Sequence, residues 1–262
     1  VEILVLYTEQ VRLQLDGASG IGNTVKFAHD AVDATQMAMD SSTSPPGVPT
    51  VPSIAQVKFL AAKKMSRPDS GDVAGDLQWV DNDPEPIALR NYWSADVVMY
   101  LTESSARLGV SNEPSYGGLP PPGPNFAPLA AGAVVRSRAV FDVSGQYPQN
   151  PFTFLHEFGH VLGANHDRAN ANNNTPVEPW AFGHWANNSD GGLRTIMSYI
   201  VSPQCSGSCS RLAYYSNSNV VVDWFRTGVA NDQENYRVIT DVAPVTAQYC
   251  ASLGRIFADG FE

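Results

Sequence analysis

The sequence is short of charge, of basic residues, of cysteine and of long apolar runs. Only 16% of its 262 residues are charged, and the 16 lysines and arginines are scattered along a chain of net charge −10. No basic stripe forms, which excludes the electrostatic footprint of a nucleic-acid binder. No apolar run approaches the ~20 residues that a membrane-spanning helix needs. The first residues, Val1 to Tyr7, lack the basic start and cleavage site of a signal peptide and read as a strand. The expectation is a mature, monomeric chain from which a signal peptide and a pro-segment have gone. There are three cysteines. Cys205 and Cys209 bracket a Ser-Gly-Ser stretch, and Asn-rich loops, low charge and abundant Gly and Pro fit a secreted protein, so a Cys205–Cys209 disulfide is expected. A metal site on the two thiolates is disfavoured because no third and fourth ligand lie nearby. Cys250 is then unpaired, or paired outside the chain.

Histidine is scarce too, five in all, yet three fall within twelve residues: His156-Glu157-Phe158-Gly159-His160-Val161-Leu162-Gly163-Ala164-Asn165-His166-Asp167. Residues four apart on a helix share a face, about 6 Å apart along the axis. His156 and His160 can therefore both reach one zinc ion through bonds of about 2.0–2.1 Å. Glu157 is placed to take a proton from a water at that metal. A continuing helix would carry His166 roughly 15 Å from His156, so the chain must turn. Gly163 is the residue free to take a positive φ there. Three protein ligands leave one position open, which marks a catalytic site rather than a structural one. Asn150 as N-cap and Pro151 as first residue predict a helix from about 151 to 162, with Phe152, Leu155, Phe158, Val161 and Leu162 as its apolar face.

Elsewhere the pattern predicts strands at 2–7, 55–61, 96–101 and 133–137, and helices at 21–40 and 84–93. A last helix, capped by Asn231 or Asp232, runs through Tyr236, Val238 and Ile239. Residues 41–52 and 111–128 are Pro/Gly-rich loops. Residues 170–188 are Asn-rich and loop-like, and His184 there reads as a solvated histidine rather than a fourth ligand. Asn173-Asn174-Thr175 and Asn187-Asn188-Ser189 match the glycosylation pattern, which would carry no meaning were the chain a bacterial secreted protein. Asp/Asn-rich loops such as 187–190 are compatible with calcium, yet none matches a calcium-binding pattern. There is no internal repeat. One domain is expected over 1–250, with lobes 1–163 and 164–250, followed by a tail at 251–262.

The extended histidine motif is the signature of the metzincin zinc endopeptidases, which the chain resembles. Thr195-Ile196-Met197-Ser198-Tyr199 resembles the methionine turn of that clan, with Met197 forming an apolar floor under the imidazoles. In the astacin and serralysin branches a tyrosine at the Tyr199 position binds zinc or stabilises the tetrahedral intermediate. Asp167, directly after the third histidine, is similar to the reprolysin branch, where it holds the turn. With Glu2–Thr8 and Tyr214–Asn219, these features resemble the bacterial secreted reprolysin-like enzymes, particularly the peptidyl-Asp metallopeptidases.

The resemblance implies an α/β or α+β metzincin-like fold. Its parts are a twisted, mostly parallel five-stranded sheet with an antiparallel edge strand, long helices including the zinc helix, and a smaller irregular C-terminal lobe. It implies one catalytic zinc, protein or peptide substrates, and Asp after the cleaved bond. The substrate-binding edge strand falls at Tyr116-Gly117-Gly118-Leu119, where the composition alone reads as a surface loop. Arg194 and Arg211 bracket the S1′ region; either they line it or they are surface arginines. Two other functions share the motif: a zinc-bearing adhesion or binding module without catalysis, and a zinc amidase or esterase on a non-protein substrate.

Overall fold

The computed structural model describes residues 1–18, 20, 22–43, 53–104, 107–139, 152–171, 176–188, 191–199 and 209–252. The first half alternates strands and helices: β1 (Glu2–Tyr7), α1 (Glu9–Asp16), α2 (Gly22–Ser41), β2 (Lys58–Lys64), α3 (Val73–Asn82), α4 (Pro84–Trp93), β3 (Val97–Thr102), β4 (Gly109–Ser111) and β5 (Ala131–Val135). Then come α5 (Thr153–Val161), seven short strands β6 (Asn165–Asp167), β7 (Phe182–Gly183), β8 (Trp185–Asn188), β9 (Gly191–Arg194), β10 (Cys209–Arg211), β11 (Val221–Val222) and β12 (Phe225–Arg226), and the helices α6 (Asn235–Thr246) and α7 (Tyr249–Ser252).

The main sheet has the order β2-β1-β3-β5-β4. All neighbours are parallel except β4, which runs antiparallel to β5 at the edge. The central strands β1, β3 and β5 are largely apolar because both faces are covered, whereas β2 carries Lys58, Lys63 and Lys64. Successive side chains alternate between two cores. Ile3, Val5, Val97, Met99 and Leu101 join the core shared with α2 and α5. Leu4, Leu6, Val98 and Tyr100 face Val73, Leu77 and Val80 of α3. Helix starts are set by local chemistry: Thr8, Asp72 and Asp83 each accept a first-turn N–H of α1, α3 and α4.

Several boundaries differ from expectation. The second strand begins at Lys58 rather than Ala55, because Ile54 and Ala55 fill the core without joining the sheet. The third begins at Val97 and ends at Thr102, and Asp96 instead accepts the Glu2 N–H. The fifth ends at Val135, where the chain tightens into a 3₁₀ turn at Arg136–Arg138. The last helix starts at Asn235, since Asn231 has a positive φ of 58°. The stretch 170–188 is not all loop: β7 and β8 lie within it. Helices α1 and α3 were not anticipated. Cys205, Asn150, Pro151 and residues 253–262 lie outside the described residues, so the Cys205–Cys209 pairing does too. Cys209 is buried in β10, and Cys250 is free.

Helix α5 is the element on which the site is built, and all nine of its residues are buried. It starts at Thr153 rather than Pro151, because Phe152 sits at φ 78° and cannot be helical. It ends in a Schellman reversal: Gly163 N–H bonds to His160 O at 2.8 Å and Ala164 N–H to Gly159 O at 2.9 Å. Gly163 takes φ +80°, and a Cβ there would lie 2.9 Å from Val177 Cγ2. Gly163→Ala should therefore lower stability by roughly 1–2 kcal/mol from backbone strain alone. Urea unfolding of the two proteins checks this; equal midpoints and slopes would contradict it.

Candidate metal centre

The helix and the reversal together bring the three histidines of the motif to one point. His156 Nε2 lies 3.1 Å from His166 Nε2, and His160 Nε2 lies 2.9 Å from it. Among the described residues this is the one group of three metal-capable side chains within mutual reach. Tetrahedral zinc with bonds near 2.0–2.1 Å would separate its ligand atoms by roughly 3.3 Å, close to what is seen. Three facing ring nitrogens cannot satisfy one another, because a hydrogen on one still leaves lone pairs opposed. A shared cation resolves the conflict, so the donor set fits zinc.

The protonation chemistry points the same way. Burial, reinforced by the neighbouring imidazoles, pushes His156 well below its usual value and His166 down to about 2. Both present bare lone pairs at neutral pH. His160 is also pulled down by burial, but the carboxylates of Glu113 and Glu157 raise it overall. The tautomer of His156 is set from outside: its Nδ1 lies 2.9 Å from Ile196 O. Arg211 Nη2 also lies 3.0 Å from that Nδ1 and donates to the same carbonyl. A guanidinium cannot accept, so the consistent reading is two donors on one oxygen, with Nε2 left free for a metal.

The methionine turn packs directly under α5. Met197 is fully buried, and a Cβ on Gly159 would meet its sulfur at 2.8 Å and Tyr215 Cε1 at 2.9 Å. The turn is hooked to β8's neighbour His184, whose carbonyl accepts from Thr195 Oγ1 and Ser198 Oγ. His184 is accordingly buried, with Nδ1 2.6 Å from Gln233 Oε1, and not solvated as its Asn-rich setting suggested. Asp167 accepts the Tyr199 N–H through Oδ2 at 3.0 Å and also binds the Asn170 side chain. The residue after the third histidine thus ties it to the turn. The Tyr199 ring lies 4.3 Å from that of His166 and remains 38% exposed. Burial and the nearby Glu157 push its hydroxyl up to about 12, so it stays a proton donor at neutral pH.

Glu157 is buried and raised above the ordinary carboxylate range, chiefly by desolvation. It lies against β4: Ser111 Oγ donates to its Oε2 at 2.7 Å, and a Cβ on Gly109 would meet Oε1 at 2.7 Å. The antiparallel edge strand is therefore Gly109–Ser111 and not Tyr116–Leu119. The latter segment turns back on itself, with Gly117 at φ 59°, Gly118 at φ 87° and a Leu119 N–H to Tyr116 O bond. Arg194 is buried and Arg211 half-buried. They sit side by side in the β9–β10 pair. Arg194 donates to Ser198 O at 2.9 Å and holds the turn. Arg211 reaches the back of His156, and burial lowers it only to about 9, so it stays charged at pH 7.

Sequence reasoning missed three contributors here. Gly109, Ser111 and Glu113 lie at the start of the Pro/Gly-rich stretch, more than forty residues before the motif. Nothing local marks them; only an apolar strand followed by a short polar strip hints at an edge.

With this geometry in view, the comparisons are direct. A reprolysin-type family model, described as metallo-peptidase family M12, matches residues 1–216, and the chain belongs to that family. Among curated relatives it is similar to the peptidyl-Asp metalloendopeptidase of Stenotrophomonas maltophilia strain K279a, with 31% identity over 61% of this chain and 33% of that one. It is also similar to the protein of the same name from Xanthomonas campestris pv. campestris, with 30% identity over 66% of this chain and 36% of the relative. The matched stretch thus spans about a third of those relatives' length. A solved chain titled "Structure of a chaperone-substrate complex" shares the fold, with TM-score 0.62 and 15% identity over 95% of this chain and 34% of that one. The family uses zinc, and the histidine cluster it requires is present.

Metal binding should release or exclude ligand protons, so zinc affinity should fall as pH falls. We expect one zinc per chain by equilibrium dialysis at pH 7.5 and its loss in His166→Ala. Undiminished stoichiometry in that variant would contradict the site.

Proposed function

We propose that the chain is the catalytic unit of a secreted zinc endopeptidase, with residues 1–250 forming the unit and lobes 1–163 and 164–250 flanking a substrate cleft. The observation that carries this is the joint geometry of His156, His160, His166 and Glu157. Three convergent nitrogens stand beside a buried carboxylate that is hydrogen-bonded but not a member of the ligand set.

When bound, zinc supplies Lewis acidity toward water and a peptide carbonyl. The rest is done by the chain. Ser111 fixes Glu157 Oε2, leaving Oε1 to receive the proton of the attacking water. The raised affinity of this buried carboxylate for protons suits it to that task and to passing the proton on to the leaving amine. The Tyr199 hydroxyl, still protonated at neutral pH, donates to the developing oxyanion. Strand β4 pairs with β5 on one side only among the described residues, so its outer edge offers main-chain groups to an extended peptide. This favours a peptide over a compact amide or ester.

The relatives' name suggests Asp beside the cleaved bond. Arg211 is the residue suited to read it: half-buried, charged at pH 7, and on the segment after the methionine turn. Arg194 serves the turn instead.

Glu157→Gln should lower kcat by roughly 10²–10⁴-fold while zinc content stays at the wild-type level; a protein that lost its zinc would refute this division of roles. Loss of the Ser111 hydroxyl removes a bond that stabilises the Glu157 carboxylate. Its proton affinity should rise further, and the acid limb of kcat/KM should move to higher pH in Ser111→Ala. Mass-spectrometric mapping of cleavage sites in a protein digest tests the reaction itself. Peptides with Asp, Asn or Leu after the scissile bond test specificity, and equal rates would sink the Asp reading.

A further inference from the structure

Two buried polar groups near the centre have no hydrogen bond of ordinary geometry: His160 Nδ1 and Glu113 Oε1. They belong to facing side chains. Glu113 Oε2 lies 3.4 Å from His160 Nδ1, and the two side chains are only 7% and 9% exposed. That distance is a few tenths of an ångström beyond the usual range of about 2.7–3.2 Å. A buried carboxylate without a partner is strongly disfavoured, and a buried ring N–H without an acceptor is disfavoured as well. Each is the other's remedy.

We propose that Glu113 is a positioning residue for His160. Its carboxylate accepts the Nδ1 proton, fixes the ring tautomer and leaves Nε2 as a lone pair directed at His166 Nε2. The inference rests on the zinc reading above. The imidazole of His156 is held by the main chain instead, its Nδ1 2.9 Å from Ile196 O. Among the described residues, His160 is the one of the three with a carboxylate facing its Nδ1. A carboxylate makes the imidazole a stronger donor than a carbonyl does.

The neighbouring residues keep Glu113 where it acts. Asn112 Nδ2 bonds to both Asp81 carboxylate oxygens, at 3.0 and 2.9 Å, and to Leu129 O at 2.8 Å. Asn112 N–H bonds to Ala131 O at 3.0 Å, and Glu113 O accepts from Tyr116 N–H at 3.2 Å. Three consecutive residues therefore have three directions: Ser111 to Glu157, Asn112 to α3, and Glu113 to His160. The edge strand and the metal ligands are coupled through this strip.

The test is a zinc titration of the metal-stripped full chain against a chromogenic chelator, comparing wild type with Glu113→Gln. The substitution keeps the shape and removes the charge. We expect wild type to bind one zinc and the variant to bind it about 10–100-fold more weakly, with unchanged circular dichroism in the metal-free form. Equal affinities would overturn the role of Glu113 and leave the zinc site standing. No zinc bound by wild type would overturn the zinc reading itself. Should the variant not fold, NMR of the zinc-loaded wild-type chain with ¹⁵N-labelled imidazoles decides. One ligand ring should carry an Nδ1–H proton downfield of the other two, with Overhauser contacts to the Glu113 side chain. Absence of any such contact would overturn the proposal.

Discussion

The structure depends on a crowd of three imidazole nitrogens that proton chemistry alone cannot satisfy. Two separations near 3 Å leave lone pairs facing one another at a site where His156 and His160 are buried. A shared cation would turn this repulsion into coordination, and the fold holds the three rings in place around that point. Helix α5 is buried on every side and cannot swing its histidines away. The reversal at Gly163 delivers His166 from beyond the helix end. The methionine turn presses on Gly159 from below and lends the Ile196 carbonyl to His156.

The close approach of these parts relies on absent side chains. Gly159 admits the Met197 sulfur, Gly183 admits the methionine backbone, and Gly109 admits the Glu157 carboxylate. Only the glycine at 163 is required by backbone conformation; the other three are required by proximity. Around them a polar knot joins distant segments. Ser42 at the end of α2 bonds to Tyr215 N–H and accepts from Asn217 Nδ2, and Ser216 reaches Phe182 O. The Tyr-Tyr-Ser-Asn stretch thereby anchors the irregular second half to the sheet-bearing first half.

Much of this was legible in the sequence where the physics is local. Helical spacing places His156 and His160 on one face, and the need for a reversal singles out Gly163. Continuous apolar runs announce strands covered on both sides, and Asp83-Pro84 announces the start of α4. Legibility failed where a residue's setting is supplied by chain far away. His184 looks solvated in an Asn-rich stretch but is enclosed by Thr195 and Gln233. The composition of 116–119 reads as a loop and the segment is a turn; the edge strand that the resemblance put there lies instead at Gly109–Ser111.

The sequence by itself determined the three convergent histidines, the carboxylate beside them and the turn between them, because helix pitch and glycine conformation act over a few residues and tolerate few alternatives. Only the tertiary structure decided what stands behind those residues. That Ser111 holds Glu157, that Glu113 faces His160, and that Arg211 rather than Arg194 stands behind His156 all follow from how β4 and β10 pack. Contacts between segments forty or more residues apart leave no periodic trace in the sequence. They arise when two cores on opposite faces of one sheet close together and fix which edge residue meets which ligand.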